Sequence, residues 1–221
     1  MTITLFCNAG LAIQSKESVL YVDLPNSGIA PFNRLSEHNW QQICEEASVK
    51  QHVAGFVFTH EHPDHLDRDR LKMFPDHTVP IFIPDEKTPE EGRLVLDAFC
   101  VSYKKIDHAP IPNAPEHRVL VIEAENKAVY IAADADLDCS AHRSFLGDRL
   151  VDAAFWNSMY LSRSETRQLL AETAKKNYIY HMPVKPDAFG LWKKCEKNFQ
   201  RYSQELINVV VAEGYPTTWE V

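Results

Sequence analysis

The chain has no long apolar run. Nothing in its 221 residues approaches the roughly 20 consecutive apolar positions a membrane helix requires, so no membrane partner is expected. It has no cysteine framework either. Cys7, Cys44, Cys100, Cys139 and Cys195 are odd in number, scattered, and contain no C-x-x-C pair, which reads as reduced thiols and predicts a cytoplasmic protein. Positive charge is scarce: 23 Lys and Arg stand against 31 Asp and Glu, a net charge of −8 with a pI near 5.7. A nucleic-acid or anionic-membrane surface needs a basic footprint. Lys193-Lys194 is too short to supply one and reads as a solvated helix face. Nucleic acid is therefore not the expected partner, although bound metal could bring local positive charge to an acidic protein. Low-complexity segments and short repeats are absent. The opening stretch from Met1 to Phe6 lacks the basic and apolar regions of a signal peptide and reads as a first strand.

What is present is a core-forming composition. With 45% hydrophobic residues, the chain can bury one substantial core without disulfides, and a single domain over 1–221 is expected. Strand patterns fall at Thr2–Phe6 and Leu11–Ile13, around the turn Cys7-Asn8-Ala9-Gly10, and at Val19–Asp23. A helix is predicted from Ser36, its N-cap, to Ala47, with Trp40, Ile43 and Ala47 on one face. The continuous apolar run Ala54–Phe58 marks a buried strand. A helix over Asp67–Met73 and a strand over Val79–Ile83 follow. Thr88-Pro89-Glu90-Glu91 has the form of a capping box with proline at the first helical position, which predicts a helix reaching Phe99. Val101–Ile106, Val119–Glu123, Val129–Ala133 and Ala153–Trp156 read as strands. Ser162-Arg163-Ser164-Glu165 predicts a capped helix to Lys175, Tyr178–Tyr180 a short strand, Ala188–Arg201 a helix, and Ile207–Val211 a closing strand. Strands come in runs with helices between the runs, which is neither strict βαβ alternation nor an all-β pattern.

The chemistry concentrates in one place. Three of the ten histidines fall within six residues, directly after the buried run, in Thr59-His60-Glu61-His62-Pro63-Asp64-His65. In extended chain, residues two apart project to the same side, so His60 and His62 can grip one ion. Asp64 and His65, where the chain turns toward a helix, can reach a second. Neutral imidazole and carboxylate are ligands that suit zinc and neighbouring divalent metals. A solvated loop accounts for one such histidine, but poorly for three with an aspartate at this spacing.

The segment Thr59-His60-Glu61-His62-Pro63-Asp64-His65-Leu66-Asp67 resembles the T-H-x-H-x-D-H signature of the metallo-β-lactamase superfamily. Asn8-Ala9-Gly10 and the strand-ending Asp23 are similar to that family's opening hairpin and buried acidic residue. The resemblance covers essentially the whole chain, and it implies an α/β (α+β) fold: a four-layer αββα sandwich of two mixed β-sheets flanked by helices, with metals at one sheet edge. It also implies three further ligands. Asp134, directly after Val129–Ala133, is favoured as a bridging aspartate. Asp136 is the competing candidate and Asp138 a more distant one, both suited to turn or capping roles. The family usually has glycine where Ala133 stands. His181, after the strand ending at Tyr180, is the last histidine ligand. For the middle one, His108 is favoured, with 109–115 as a small loop insertion. His117 is the alternative, otherwise a group beside the ligands or in the substrate pocket. His38, His52, His77 and His142 read as ordinary surface or capping residues.

The resemblance then implies that His60, His62 and His108 hold one metal and Asp64, His65 and His181 another, with Asp134 bridging and Asp23 orienting the histidine loop. Two divalent ions, zinc foremost with manganese or iron as alternatives, would make hydroxide available at neutral pH for attack on an ester, lactone or phosphodiester. Asp64 would be the catalytic group that handles the proton. The substrate is expected to be a small molecule. The closest likeness is to the lactonase and phosphodiesterase-like members, including the ascorbate-6-phosphate lactonase-like group. Lys185 and Lys193 read as plain surface lysines. A metal-dependent nuclease acting on RNA or DNA is the second reading, and a non-catalytic metal-binding relative the third. A di-iron electron-transfer role is opposed by His62, because such members replace motif histidines with acids. No sequence feature bears on oligomeric state.

Overall fold

In a computed structural model, which describes residues 1–48, 53–74 and 79–221, the chain forms two mixed β-sheets packed face to face with helices on both outer surfaces. The first part supplies β1 (Thr2–Cys7), β2 (Gly10–Ser15), β3 (Ser18–Val22), α1 (Glu37–Ser48), β4 (Val53–Val57), α2 (Arg68–Leu71) and β5 (Ile81–Phe82). Next come β6 (Glu91–Leu96), β7 (Phe99–Lys105), β8 (Arg118–Ala124), β9 (Lys127–Ala133), α3 (Cys139–Leu146) and β10 (Val151–Asn157). A 3-10 turn at Ser158–Leu161 leads to α4 (Ser164–Thr173), β11 (Ala174–Tyr180), α5 (Leu191–Arg201), β12 (Val209–Val211) and β13 (Thr217–Glu220). One sheet has the order β13-β1-β2-β3-β4-β5 and the other β12-β11-β10-β9-β8-β7-β6. Within them β3 to β5 run parallel, as do β9 to β12, so the carboxyl ends of each group emerge at one sheet edge.

Alternation along the strands builds the layers. On β9, Val129, Ile131 and Ala133 face the inter-sheet core with Ile13, Leu20 and Leu120, whereas Tyr130 and Ala132 face outward among Leu146, Leu169 and Leu170 of α3 and α4. On the opposite outer face, Tyr21, Phe56 and Phe58 meet Trp40 and Ile43 of α1. Each fully buried aliphatic or phenyl side chain contributes about 1.5–3 kcal/mol, so the sandwich is a firm base for the loops at its edge. Helix starts follow their local chemistry: Ser36 Oγ accepts from Asn39 N at 3.1 Å, Asp67 caps α2, and Asp138 caps α3.

Several expectations are corrected. The capping box at Thr88–Glu91 opens no helix. Residues 91–105 instead form the antiparallel β6–β7 hairpin, paired from Glu91↔Lys104 to Leu96↔Phe99. The alternating exposure of β6 suits an edge strand, and Asp97 takes the left-handed turn conformation at φ 51°. Gly92 lets Tyr103 pass across that strand, where a Cβ would collide with the phenol. Thr88 gives its hydroxyl to Asp85 rather than to a helix end. The Ser162 cap also fails: its hydroxyl donates to Met159 O, α4 ends at Thr173, and β11 starts at Ala174, well before Tyr178. α2 is a single turn, shorter than Asp67–Met73, and α5 begins at Leu191 rather than Ala188. α3 and β13 were not foreseen. No helix among the described residues is long and apolar enough to cross a membrane.

Candidate metal centre

Five segments deliver polar side chains to one edge of the sandwich. β3 runs into Asp23, β4 into Thr59–His65, β7 toward His108, β9 into Asp134 and β11 into His181. Asn8, Asp23, Ala133 and His181 all adopt left-handed backbone conformations, with φ of 37°, 52°, 47° and 59°. Such conformations cost about 1 kcal/mol or more for residues with a Cβ. Hydrogen bonds hold them: Asp23 N donates to Val57 O at 3.0 Å, His181 N to Asn8 O at 3.2 Å, and Asn157 Nδ2 to Ala133 O at 2.9 Å. Ala133 therefore fills the place usually taken by glycine, with its methyl buried between the sheets.

Two sets of side chains gather within ligand reach: His60, His62, His108 and Asp134, and Asp64, His65, Asp134 and His181. Asp134 belongs to both. Its Oδ2 lies 3.9 Å from His60 Nε2, 3.6 Å from His65 Nε2, 3.5 Å from His108 Nε2 and 3.6 Å from His181 Nε2. Two donors on one tetrahedral ion, with bonds of about 2.1 Å, sit roughly 3.4 Å apart. The spacing is that of ligands around cations.

The hydrogen-bond network fixes which ring nitrogens are bare. Asp23 accepts from His65 Nδ1–H at 2.9 Å, so in the neutral ring the lone pair falls on Nε2. Thr59 donates its hydroxyl to Asp23 at 2.8 Å, so its oxygen accepts from His60 Nδ1 at 3.0 Å and His60 Nε2 is bare too. His108 Nδ1 donates to Ala109 O at 2.7 Å, and its Nε2 is buried with no hydrogen-bond partner among the described residues. His65 Nε2 meets His181 Nε2 at 2.9 Å, and His60 Nε2 meets His62 Nδ1 at 3.0 Å. In each contact a nitrogen left bare by the network faces a second ring nitrogen, an arrangement held together by a proton or a cation between them.

The field of the site points the same way. Burial, with His65 and His117 nearby, holds His60 well below the usual imidazole range, and burial with His108 lowers His62. Burial also pushes His65 down, but the Asp23 and Asp134 carboxylates override it and raise the ring well above its ordinary value. For Asp134, burial favours the neutral acid, yet His181, His108 and His65 keep the carboxyl well below the usual range. These carboxylates draw positive charge into a place that water reaches poorly, and a metal ion supplies it more completely than a shared proton. The residues present fit a metal centre.

No protein-family profile matches the chain, and no curated protein matches its sequence. Solved structures do match its shape. An isothiocyanate hydrolase from Delia radicum gut bacteria superposes with a TM-score of 0.70 at 15% identity, over 100% of this chain and 99% of that one. A possible metal-dependent hydrolase from Veillonella parvula gives 0.69 at 15% identity, over 100% and 99%. The metallo-β-lactamase fold protein YhfI from Bacillus subtilis gives 0.64 at 14% identity, over 99% and 98%. The chain has the metallo-β-lactamase fold.

On this metallo-β-lactamase fold the other candidates take different places. Asp136 stays outside both ligand sets and accepts from Leu137 N in the turn. His117 also stays outside them. It is fully buried, 5.1 Å from His60 ring to ring, with Nδ1 donating to Ile106 O at 3.0 Å and Nε2 without a hydrogen-bond partner among the described residues. Burial pushes its pKa down to about 3. Lys185 pairs with Glu196 and lies over Trp192, Lys193 is exposed, and His38 is exposed as expected. His52 and His77 lie outside the described residues. His142 is a correction: it is buried, not on the surface.

Sequence reading missed the role of Asn8. Its Nδ2 donates to Asp64 O at 3.0 Å and lies 3.4 Å from both Asp64 Oδ2 and His181 Nε2, and Asn26 Nδ2 reaches the same carbonyl at 2.8 Å. Phe32 packs edge-on against His181 at 4.4 Å. An asparagine in a tight hairpin looks like turn chemistry, and no local signal marks it as a neighbour of Asp64.

Proposed function

We propose that the chain is a metal-dependent hydrolase acting on an ester, lactone or phosphodiester bond of a small molecule. The observation that carries this is the position of Asp134 Oδ2, within ligand spacing of two separate histidine sets. His60, His62 and His108 would hold one divalent ion and Asp64, His65 and His181 a second, with Asp134 shared. Zinc is favoured because five of the seven ligands are imidazoles, with manganese and iron next. When bound, such a pair supplies Lewis acidity and lowers the pKa of water toward neutrality.

The chain's own groups complete the site. Asp64 Oδ2 lies 3.2 Å from His181 Nε2. Burial favours its neutral form, but the His181 hydrogen bond and the nearby His65 outweigh that and keep Asp64 ionised. It is thus in the ionised form that a proton acceptor requires. Asn8 and Asn26 anchor its backbone, and Asp23 orients His65. The charge of −8 disfavours a nucleic-acid substrate, and the free thiols, Cys7 and Cys195 among them buried, favour a cytoplasmic location.

The test is elemental analysis of protein purified without chelator, followed by a screen of lactones, phosphodiesters and thioesters. An isothiocyanate belongs in the screen because a structural neighbour hydrolyses one and its central carbon is also open to attack by water. Two metal equivalents per chain with turnover on an ester, lactone or phosphodiester support the proposal, and turnover on a thioester or isothiocyanate alone keeps the hydrolase and overturns the bond class. Failure to hold metal at saturation overturns it, and full loading with no turnover on any class supports the non-catalytic relative.

A further inference from the structure

Behind the ligand loops lies a second buried polar cluster. His142 of α3, Tyr130 of β9 and Tyr160 of the 3-10 turn are all 0% exposed, packed among Trp156, Leu161 and Leu170. Burying such polar heads costs about 1–3 kcal/mol each unless they are hydrogen-bonded. Here each one is. The Tyr130 hydroxyl donates to His142 Nδ1, which places the ring proton on Nε2. That Nε2–H lies 3.0 Å from Asp136 O and 2.7 Å from the Tyr160 oxygen. The Tyr160 hydroxyl in turn donates toward Ala135 O at 3.2 Å and Asp136 O at 3.1 Å.

All of these bonds converge on the strained turn that carries Asp134. The other side of that turn is tied to the segment bearing His108: Ala109 N donates to Asp134 O at 2.7 Å, Asp136 N donates to Asp107 O at 2.7 Å, and His108 bridges to Ala135. The turn is therefore held between a rigid aromatic cluster and the loop of another ligand.

We infer that His142 and Tyr160 are positioning residues, which hold the carbonyls of Ala135 and Asp136 from behind and so place the adjacent Asp134 and, through it, His108. The inference rests on reading Asp134 as the shared ligand. Neither residue belongs to a ligand set. Their effect is on where the shared carboxylate sits, so loosening them weakens both metal sites together.

The experiment is competition for Zn²⁺ against a chromophoric chelator, with thermal unfolding measured in parallel. Tyr160→Phe and His142→Leu should weaken both zinc sites about tenfold or more, the usual effect of losing a group that orients a ligand. His142→Gln, which keeps a donor for Asp136 O and an acceptor for Tyr130, should recover most of that loss. Leu169→Ala, in the same apolar cluster but with no hydrogen bond to the turn among the described residues, should lower Tm and leave zinc affinity unchanged. If His142→Leu does not fold, the near-isosteric Tyr160→Phe carries the test. Wild-type affinity at either site in the clamp variants overturns the inference, as does an equal zinc loss in Leu169→Ala. A wild-type chain that takes up no zinc, manganese or iron overturns the metal-centre reading and this inference with it. A wild type that loads, with clamp variants that load equally well, sinks the inference alone.

Discussion

Asp23 and His65 form a fully buried pair in which the imidazole Nδ1–H donates to Asp23 Oδ2 at 2.9 Å, and this contact turns the bare Nε2 of His65 toward His181. The same carboxylate accepts from Thr59 N at 2.8 Å and from the Thr59 hydroxyl, which in turn accepts from His60. One acidic side chain thus sets the tautomer of a histidine in each ligand set, although it belongs to neither.

Replacing Asp23 should therefore impair metal binding without removing a ligand. Asp23→Ala is expected to lower zinc affinity by roughly ten- to a hundredfold, most strongly at the set containing His65. Asp23→Asn, which can still accept from Nδ1–H, should fall between the variant and wild type. Chelator competition measures both, and unchanged affinity in Asp23→Ala would show that another contact fixes the His65 ring.

The two middle histidines should separate cleanly. His108 lies in a candidate ligand set and His117 does not, although both present a buried Nε2 without a hydrogen-bond partner among the described residues. His108→Ala should cost close to one metal equivalent and most of the hydrolysis, while His117→Ala should retain both ions. The reverse pattern in elemental analysis would exchange their roles and leave the fold untouched.

His142 should also leave a mark on acid stability. Burial pushes its pKa down to about 4, whereas an unfolded chain protonates the ring near 6.5. Between those values the unfolded state binds more protons, so stability falls as pH falls. The contribution is complete above pH 6.5, and by pH 4.5 about 2–3 kcal/mol of it is gone. Denaturant unfolding of metal-free wild type and His142→Gln at pH 7.5 and 4.5 should show the variant losing less on acidification by about that amount. Equal losses would mean that the ring is not held neutral in the native state.

How much of this could be read beforehand depended on whether the signal was local. The first motif was legible because His60, His62, Asp64 and His65 lie together at the end of one apolar strand, and β4 delivers all of them at once. Asp134 was preferred over Asp136 because it follows β9 directly, where the parallel strand releases its next side chain into the site. The stretch from Thr88 was misread because a capping-box pattern is short and the alternating exposure of β6 is weak evidence at an edge, where half the residues face water. His142 was misplaced for another reason. Its partners, Tyr130 and Tyr160, are 12 and 18 residues away in sequence, and only the packing of α3 against the outer sheet brings them together. The role of Asn8 depends on Asp64, 56 residues on, and is equally invisible in a hairpin tip.

The last prediction concerns Asp64, on which the mechanism depends. Its Oδ2 sits 3.2 Å from His181 Nε2 and 3.9 Å from His65 Nε2, within a ligand set, and Asn8 Nδ2 lies 3.4 Å from the same oxygen. Asparagine at this position keeps the size and an oxygen donor but cannot take a proton, and it removes one negative charge. Asp64→Asn should therefore retain substantial metal while turnover falls by about a hundredfold or more, the scale of a general-base contribution. The comparison has to be made at matched metal occupancy, because a half-empty site would imitate the loss. The Asn8 contact sharpens the reading: Asn8→Ala should change turnover less than Asp64→Asn, since it frees the carboxylate without abolishing it. Near-wild-type turnover in fully loaded Asp64→Asn would show that the attacking water needs no carboxylate, and Asp64 would then be a ligand alone.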